Sequence, residues 1–306
     1  MIVYKNLASI EQALGFSAKT LYGLSHNLEK HYHNVFIPKS DGSQRKLSVP
    51  DLILKKVQRS IVDNILVYYP VSKYAKAYTM GSSVQKNAQQ HVGKRKILKL
   101  DIEGFFDHIM YSKVKDIVFY KEKYSEPIRI LLTMLCYYKD SLPQGAPTSP
   151  AITNIIMYDF DERIGSFCNE KHISYTRYCD DMTFSGDFDE MEMIALVRTE
   201  LNKLGLFLKN RKTAVVPAAK RQTVTGIVVN EKLNLTKSYK KEIRQEVYYI
   251  KKFGIEGHLE RKRITDACGY LNALKGRISF VLQTVPDDKE FLEYKNFLKK
   301  CTSSKV

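Results

Sequence analysis

The run Lys96-Ile97-Leu98-Lys99-Leu100-Asp101-Ile102 is largely apolar and carries an acid near its end, which predicts a buried strand that delivers a carboxylate. Thr176 to Ser185 is rich in Thr and aromatic residues with polar residues at its centre, which predicts two short strands joined by a tight turn. Phe36 to Pro50 reads as another hairpin, with Asp41-Gly42 at its turn. Leu54, Val57, Ile61, Ile65 and Val67 recur at helical spacing within Leu52 to Tyr69, so that stretch is a core helix. Three prolines between Pro143 and Pro150 predict an irregular loop, and Ala151 to Ile164 a helix leaving it. Residues 1 to 34 show short helical patterns with Ser17 or Ser25 as N-caps, Thr223 to Val229 has strand composition, and Tyr239 to Phe253 and Lys262 to Gln283 read as helices.

Composition narrows the partner. The chain has 306 residues, 44% of them hydrophobic, enough for a substantial core in two or three compact parts. Its formal charge of +16 makes a polyanion the expected partner, because Lys and Arg neutralise phosphates and release counterions. Basic charge alone suits a ribosomal or membrane-surface protein equally well. Residues 231 to 306 carry 17 Lys or Arg against 10 Asp or Glu, with Tyr248, Tyr249 and Tyr270 among them. The five cysteines have no C-x-x-C spacing, which suits a reducing compartment. With no run of eighteen apolar residues and no apolar leader, a cytoplasmic protein without a membrane partner is expected.

The carboxylates decide between these classes. Asp101 is followed about eighty residues later by Tyr178-Cys179-Asp180-Asp181, with Leu142-Pro143-Gln144-Gly145-Ala146-Pro147-Thr148-Ser149-Pro150 between them. Adjacent carboxylates repel, and a divalent cation relieves that repulsion. Alone, Asp180-Asp181 is no more telling than Asp287-Asp288, a dipeptide in ordinary context. A third acid at a strand end changes the picture. Asp101, Asp180 and Asp181 together suit two Mg²⁺ ions about 3.5 to 4 Å apart, the arrangement of in-line phosphoryl displacement. Mg²⁺ keeps waters and substrate phosphates, so few protein ligands suffice.

These blocks, in this order and spacing, resemble a reverse transcriptase of the retron type over roughly Val35 to Val285. The matching runs are Asp101 to Phe106, Leu142 to Pro150, Tyr178 to Asp181 and Gly205 to Thr213; Asn87-Ala88-Gln89-Gln90-His91 and Val224-Thr225-Gly226 are similar to two further retron blocks. The resemblance implies an α+β right-hand polymerase: N-terminal helices and fingers over 1–95, a palm with an antiparallel sheet over 96–230, and a basic helical thumb over 231–306. It implies that Lys39, Arg45, Phe106, Gln144 and Lys212 bind the incoming nucleotide, with Phe106 as steric gate against ribose. Asn87, His91, Val224, Thr225 and Gly226 would contact RNA. The implied reaction is reverse transcription of a cognate structured non-coding RNA, self-primed from a guanosine 2′-hydroxyl, to give an RNA-linked DNA (msDNA). Deoxynucleoside triphosphates are then substrates, and a defence effector protein against phage is a further partner. Two positions depart from the family pattern: Cys179 stands where Ala is usual, and Tyr78 where Phe is commoner. The alternatives are another bacterial reverse transcriptase (intron, diversity-generating or abortive-infection type) and an RNA-binding scaffold that restrains an effector.

Overall fold

The computed structural model describes residues 3–38, 42 and 44–303. Among the described residues eight strands are interspersed with helices: β1 (Tyr32–Pro38), β2 (Gln44–Pro50), β3 (Lys96–Asp101), β4 (Ser174–Tyr178), β5 (Asp181–Gly186), β6 (Ala214–Pro217), β7 (Thr223–Val224) and β8 (Ile227–Val228). β1 and β2 form an antiparallel hairpin in which Ile37 faces Arg45. The hairpin expected over Phe36 to Pro50 is present but begins earlier, at Tyr32, and Asp41 of its expected turn lies outside the described residues. Four strands make the main sheet in the order β4-β5-β3-β6.

The chain resolves into two compact units, Met1–Ser82 with Leu98–Val215, and Ser83–Ile97 with Val216–Val306. Each has its own core. In the first, the apolar face of the helix Leu52–Asn64 (Leu54, Val57, Ile61) is fully buried with Leu98, Leu100, Met182 and Phe184 of the sheet. Asp51 caps that helix, its carboxylate accepting from the Leu54 amide at 2.9 Å. In the second, Val224, Ile227, Ile243, Val247, Leu274, Ile278 and Phe291 are buried together. Among the described residues no helix is long and apolar enough to cross a membrane.

Several helix boundaries differ from those the pattern predicts. The helix after the Pro-rich loop begins earlier, at Thr148, because Pro150 falls in its first turn, where no amide donor is needed. It ends at Ile156, and a second helix runs Tyr158–Glu170. The segment predicted as Tyr239 to Phe253 spans Lys237–Lys262 and breaks at Gly254 (φ 72°, ψ 169°). The next helix is Ala267–Thr284 rather than Lys262 to Gln283, since Arg263 turns left-handed (φ 54°) and Asp266 caps the new start. Ser17 caps its helix, whereas Ser25 lies inside one.

Candidate active site

Three segments of the first unit bring the acids together. β3 ends at Asp101, which is 4% exposed. The next amide, Ile102, donates to the Asp180 carbonyl at 3.1 Å, which holds the strand end against the hairpin tip. β4 and β5 pair antiparallel with Tyr178 opposite Asp181, so Cys179 and Asp180 form the two-residue turn. Cys179 takes the left-handed backbone (φ 61°) that such a turn demands. The third segment is the short turn Asn210–Lys212: the Lys209 amide bonds the Asp101 carbonyl at 2.8 Å, and the Lys212 ammonium pairs with the Asp101 carboxylate.

Proximity of like charges shows in the acidities. Burial, then the charge of Asp180 and a hydrogen bond shared with Asp101, push the Asp181 carboxyl up to about 6; Lys212 pulls the other way. Burial and Asp101 also raise Asp180. The Lys212 ammonium is held above the usual lysine range: burial works against it, and the Asp101 hydrogen bond together with the charges of Asp101, Asp180 and Asp181 outweighs burial. The carboxylates therefore form a strained anionic group that a hard cation would relieve. Among the described residues no three His, Cys, Asp or Glu side chains already form a metal cage. An all-oxygen donor set of few carboxylates nevertheless fits Mg²⁺, which draws its remaining ligands from water and phosphate.

A buried network braces the hairpin from beneath, and nothing in the local sequence pattern announces it. Arg177 and Asp161, both 0% exposed, form a bidentate pair (Nη2 to Oδ2 2.6 Å, Nε to Oδ1 2.9 Å). Tyr175 Oη donates to Asp161 at 2.8 Å, and Arg177 also donates to Asn154 Oδ1 at 3.2 Å and to the Cys179 carbonyl at 3.0 Å. The last bond grips the turn that carries Asp180. Tyr78, itself left-handed (φ 58°), shares a side-chain hydrogen bond with Cys179, so the chain's two departures from the retron pattern meet each other.

The residues expected at the nucleotide divide. Phe105 is buried at 3%, while Phe106 beside it is half-buried and keeps part of its ring open. The Leu142 amide donates to the Phe106 carbonyl at 3.1 Å, and Gln144 Nε2 reaches Asp107 Oδ1 at 3.5 Å, tying the Pro-rich loop to the turn after β3. A Cβ on Gly145 would sit 2.7 Å from the Ser48 carbonyl, so only glycine admits this approach of β2 to the loop. Arg45 is exposed on β2. Lys39 lies outside the described residues. Lys212 is placed on Asp101, in the carboxylate group rather than apart from it.

The residues expected to touch RNA lie in the second unit, and burial corrects part of that expectation. Asn87 (1% exposed), His91 (0%) and Val224 (1%) are internal, so their side chains are not open to a partner in this structure. Val224 and Ile227 pair across a two-residue turn made by Thr225 (φ 45°) and Gly226 (φ 84°), not a continuous strand. Asn87 Nδ2 donates to Thr225 Oγ1 at 3.4 Å, and that hydroxyl donates to the Val84 carbonyl at 3.4 Å. The two sequence blocks are thus one structural feature: a buried asparagine fixing an outward hairpin tip.

Comparison with known proteins agrees with this geometry. Residues 37–238 match the family model described as reverse transcriptase (RNA-dependent DNA polymerase). The Retron Ec86 reverse transcriptase of Escherichia coli is 31% identical over 81% of this chain and 79% of its own length. The Retron Ec83 reverse transcriptase of the same organism is 32% identical over 87% of this chain and 86% of its own. In fold, the chain is similar to a foamy viral protease-reverse transcriptase solved with double-stranded DNA, at a TM-score of 0.52 and 15% identity, covering 100% of this chain and 45% of that one. An acid triad set out along a sheet in this order, in a chain of this kinship, has one reading: the chain belongs to the reverse transcriptases, the RNA-directed DNA polymerases, and among them to the retron type.

Proposed function

We propose that this polymerase copies one cognate structured non-coding RNA, primes from a guanosine 2′-hydroxyl of that RNA, and leaves a single-stranded DNA joined to it. The observation that carries the catalytic part is the hydrogen bond from Ile102 to Asp180, which sets Asp101 beside the hairpin tip. Asp101, Asp180 and Asp181 would hold two Mg²⁺ ions, and when bound these supply charge neutralisation for the attacking and leaving oxygens of in-line displacement. Lys212 keeps Asp101 compensated in the resting protein and becomes available to a triphosphate once that carboxylate has another partner. Arg45, with Lys39, adds cations for the triphosphate. Gln144 and Gly145 line the approach to the nascent base pair, and the half-open Phe106 ring lies under the sugar and clashes with a 2′-hydroxyl. No protein nucleophile is needed, because positioning and charge stabilisation suffice for phosphoryl transfer.

Cognate choice is assigned to the Thr225-Gly226 tip, which Asn87 holds from within through the Thr225 hydroxyl. A hydroxyl beside a glycine suits RNA, which is read through shape, loops and 2′-hydroxyls. In this reading residues 1–95 act as fingers, 96–230 as palm and 231–306 as thumb, the last gripping duplex phosphates with its excess of Lys and Arg. The RNA-linked DNA then serves anti-phage defence in the cytoplasm with an effector protein.

The test is to purify the full chain and sequence the nucleic acid it carries. One RNA species joined through a 2′ linkage to DNA is expected, and Asp180→Asn should retain the RNA without the DNA. Heterogeneous RNA, or DNA with a free 5′ end, would remove the self-priming reading.

A further inference from the structure

The first unit also contains a cavity of about 690 Å³ that none of Asp101, Asp180, Asp181, Phe106, Gln144 or Lys212 lines. That volume is ordinary for a small-molecule site, about 300–1,000 Å³. Its wall sets tyrosine rings, among them Tyr68 and Tyr158, beside the basic side chains Lys123, Arg163 and Lys203.

Lys123 is the informative residue. It is 7% exposed, and among the described residues its ammonium has no carboxylate partner; it faces the rings of Tyr69 at 4.4 Å and Tyr124 at 5.4 Å. Burial holds its pKa below the usual lysine value. The Tyr4 amide donates to its carbonyl at 2.8 Å, which fixes this stretch of backbone. A buried cation without a counter-charge is costly, and an anion in the cavity relieves that cost. Glu200 does not serve, because it is engaged by Arg163 at 3.2 Å and Lys203 at 2.5 Å. Counting Asp159, which also lines the wall, three cations still outnumber two carboxylates.

The aromatic part is equally specific. Tyr68 is 65% exposed, so most of its ring lies open. Stacking on an aromatic face accepts any nucleobase and contributes about 1–3 kcal/mol per base. An open tyrosine platform and a buried lysine without a carboxylate partner, lining one cavity, are the recognition chemistry of a nucleotide.

We propose that this cavity is a second nucleotide site, separate from the polymerase centre, that holds one nucleoside monophosphate unit with its base on the tyrosine rings and its phosphate toward Lys123. Two sources supply such a unit: a free nucleotide, or a nucleotide extruded from bound RNA.

The experiment uses the full chain in EDTA, so that metal-dependent binding at the carboxylates does not contribute. In the first arm, equilibrium dialysis measures adenosine 5′-monophosphate against adenosine. In the second, RNA carrying 4-thiouridine is photocrosslinked and the adducts are mapped to peptides. Binding of the monophosphate in preference to adenosine identifies the free source; no binding but crosslinks within 66–70, 117–124 or 155–163 identify the RNA source. In either arm Tyr68→Ala, an exposed change that leaves the core intact, should weaken the signal about tenfold. Lys123→Met should erase the preference for phosphate, and Asp181→Asn should leave the signal unchanged. Absence of both signals, or signals that survive Tyr68→Ala undiminished, would overturn the assignment.

Discussion

Two hairpin tips in this chain are built alike and loaded differently. The tip at Cys179-Asp180 and the tip at Thr225-Gly226 are both two-residue turns with left-handed backbone, and each places a non-glycine residue at positive φ. Such a residue costs about 1–2 kcal/mol, so neither is there for stability. The first tip is charged: its acids repel, and a fully buried Arg177–Asp161 pair holds them in place. The second is neutral: a single asparagine bonds the Thr225 hydroxyl, and no atom lies within 4 Å of where a Gly226 side chain would point. The difference teaches that a turn which must concentrate charge needs a rigid, counter-charged foundation. A turn that only offers a surface needs little more than its backbone shape.

The largest effect should come from the charged tip. Asp180→Asn or Asp181→Asn removes charge with little change of volume and is expected to lower nucleotide incorporation at least about a hundredfold while fold and RNA binding persist. Near-wild-type incorporation by either variant, in a primer-extension assay, would break the comparison at its root.

The foundation comes next. Arg177→Met leaves Asp161 buried and unpaired, and urea unfolding should show a loss of about 3–5 kcal/mol. The double variant Arg177→Met, Asp161→Leu should recover much of that stability yet still polymerise poorly, since the bond from Arg177 to the Cys179 carbonyl is gone. Full activity in the double variant would make the network merely structural.

The neutral tip should respond far more weakly. Thr225→Gly relieves a β-branched residue at a left-handed position, worth about 1–2 kcal/mol. It also removes the hydroxyl that bonds buried Asn87 and the Val84 carbonyl, a loss of about 1–3 kcal/mol. The two offset, and thermal unfolding should show little net change. Extension on the RNA encoded beside the gene should fall while extension on a generic primed template is unchanged. A loss of about 3 kcal/mol or more, or loss of both activities together, would equate the two tips after all.

The smallest effect concerns Tyr78 and Cys179. A double-mutant cycle with Tyr78→Phe and Cys179→Ala should yield a coupling of about 0.5–1.5 kcal/mol in stability, the worth of one hydrogen bond. Additive single effects would show that the pair does not brace the charged tip.

Local pattern made much of this legible. The strand ending at Asp101, the turn after Tyr178, the β1–β2 hairpin and the Ser17 cap all follow from short-range rules of periodicity, turn chemistry and capping. The same rules misjudged the helix around Gly254 and the start of the helix at Thr148. A glycine within a helical pattern does not announce whether it will break the helix, and a proline in a first turn costs nothing. They also read Thr223 to Val229 as a strand, because β-favouring residues on either side of a two-residue turn look like one run.

By itself, then, the sequence determined the order of the acids, the kind of metal they suit and the polyanionic partner, since charge and spacing are properties of the chain. Only the tertiary structure decided which side chains work inward and which outward. Asn87 and Thr225 meet across 138 positions, and Arg177 finds Asp161 across 16, in a buried network that also takes in Asn154 and Tyr175. A hydrophobic pattern specifies that a residue is buried, not beside what. Partners distant along the chain become neighbours only when the cores close, and that is where Asn87 and His91 became buried and Lys123 a buried cation facing the Tyr69 ring.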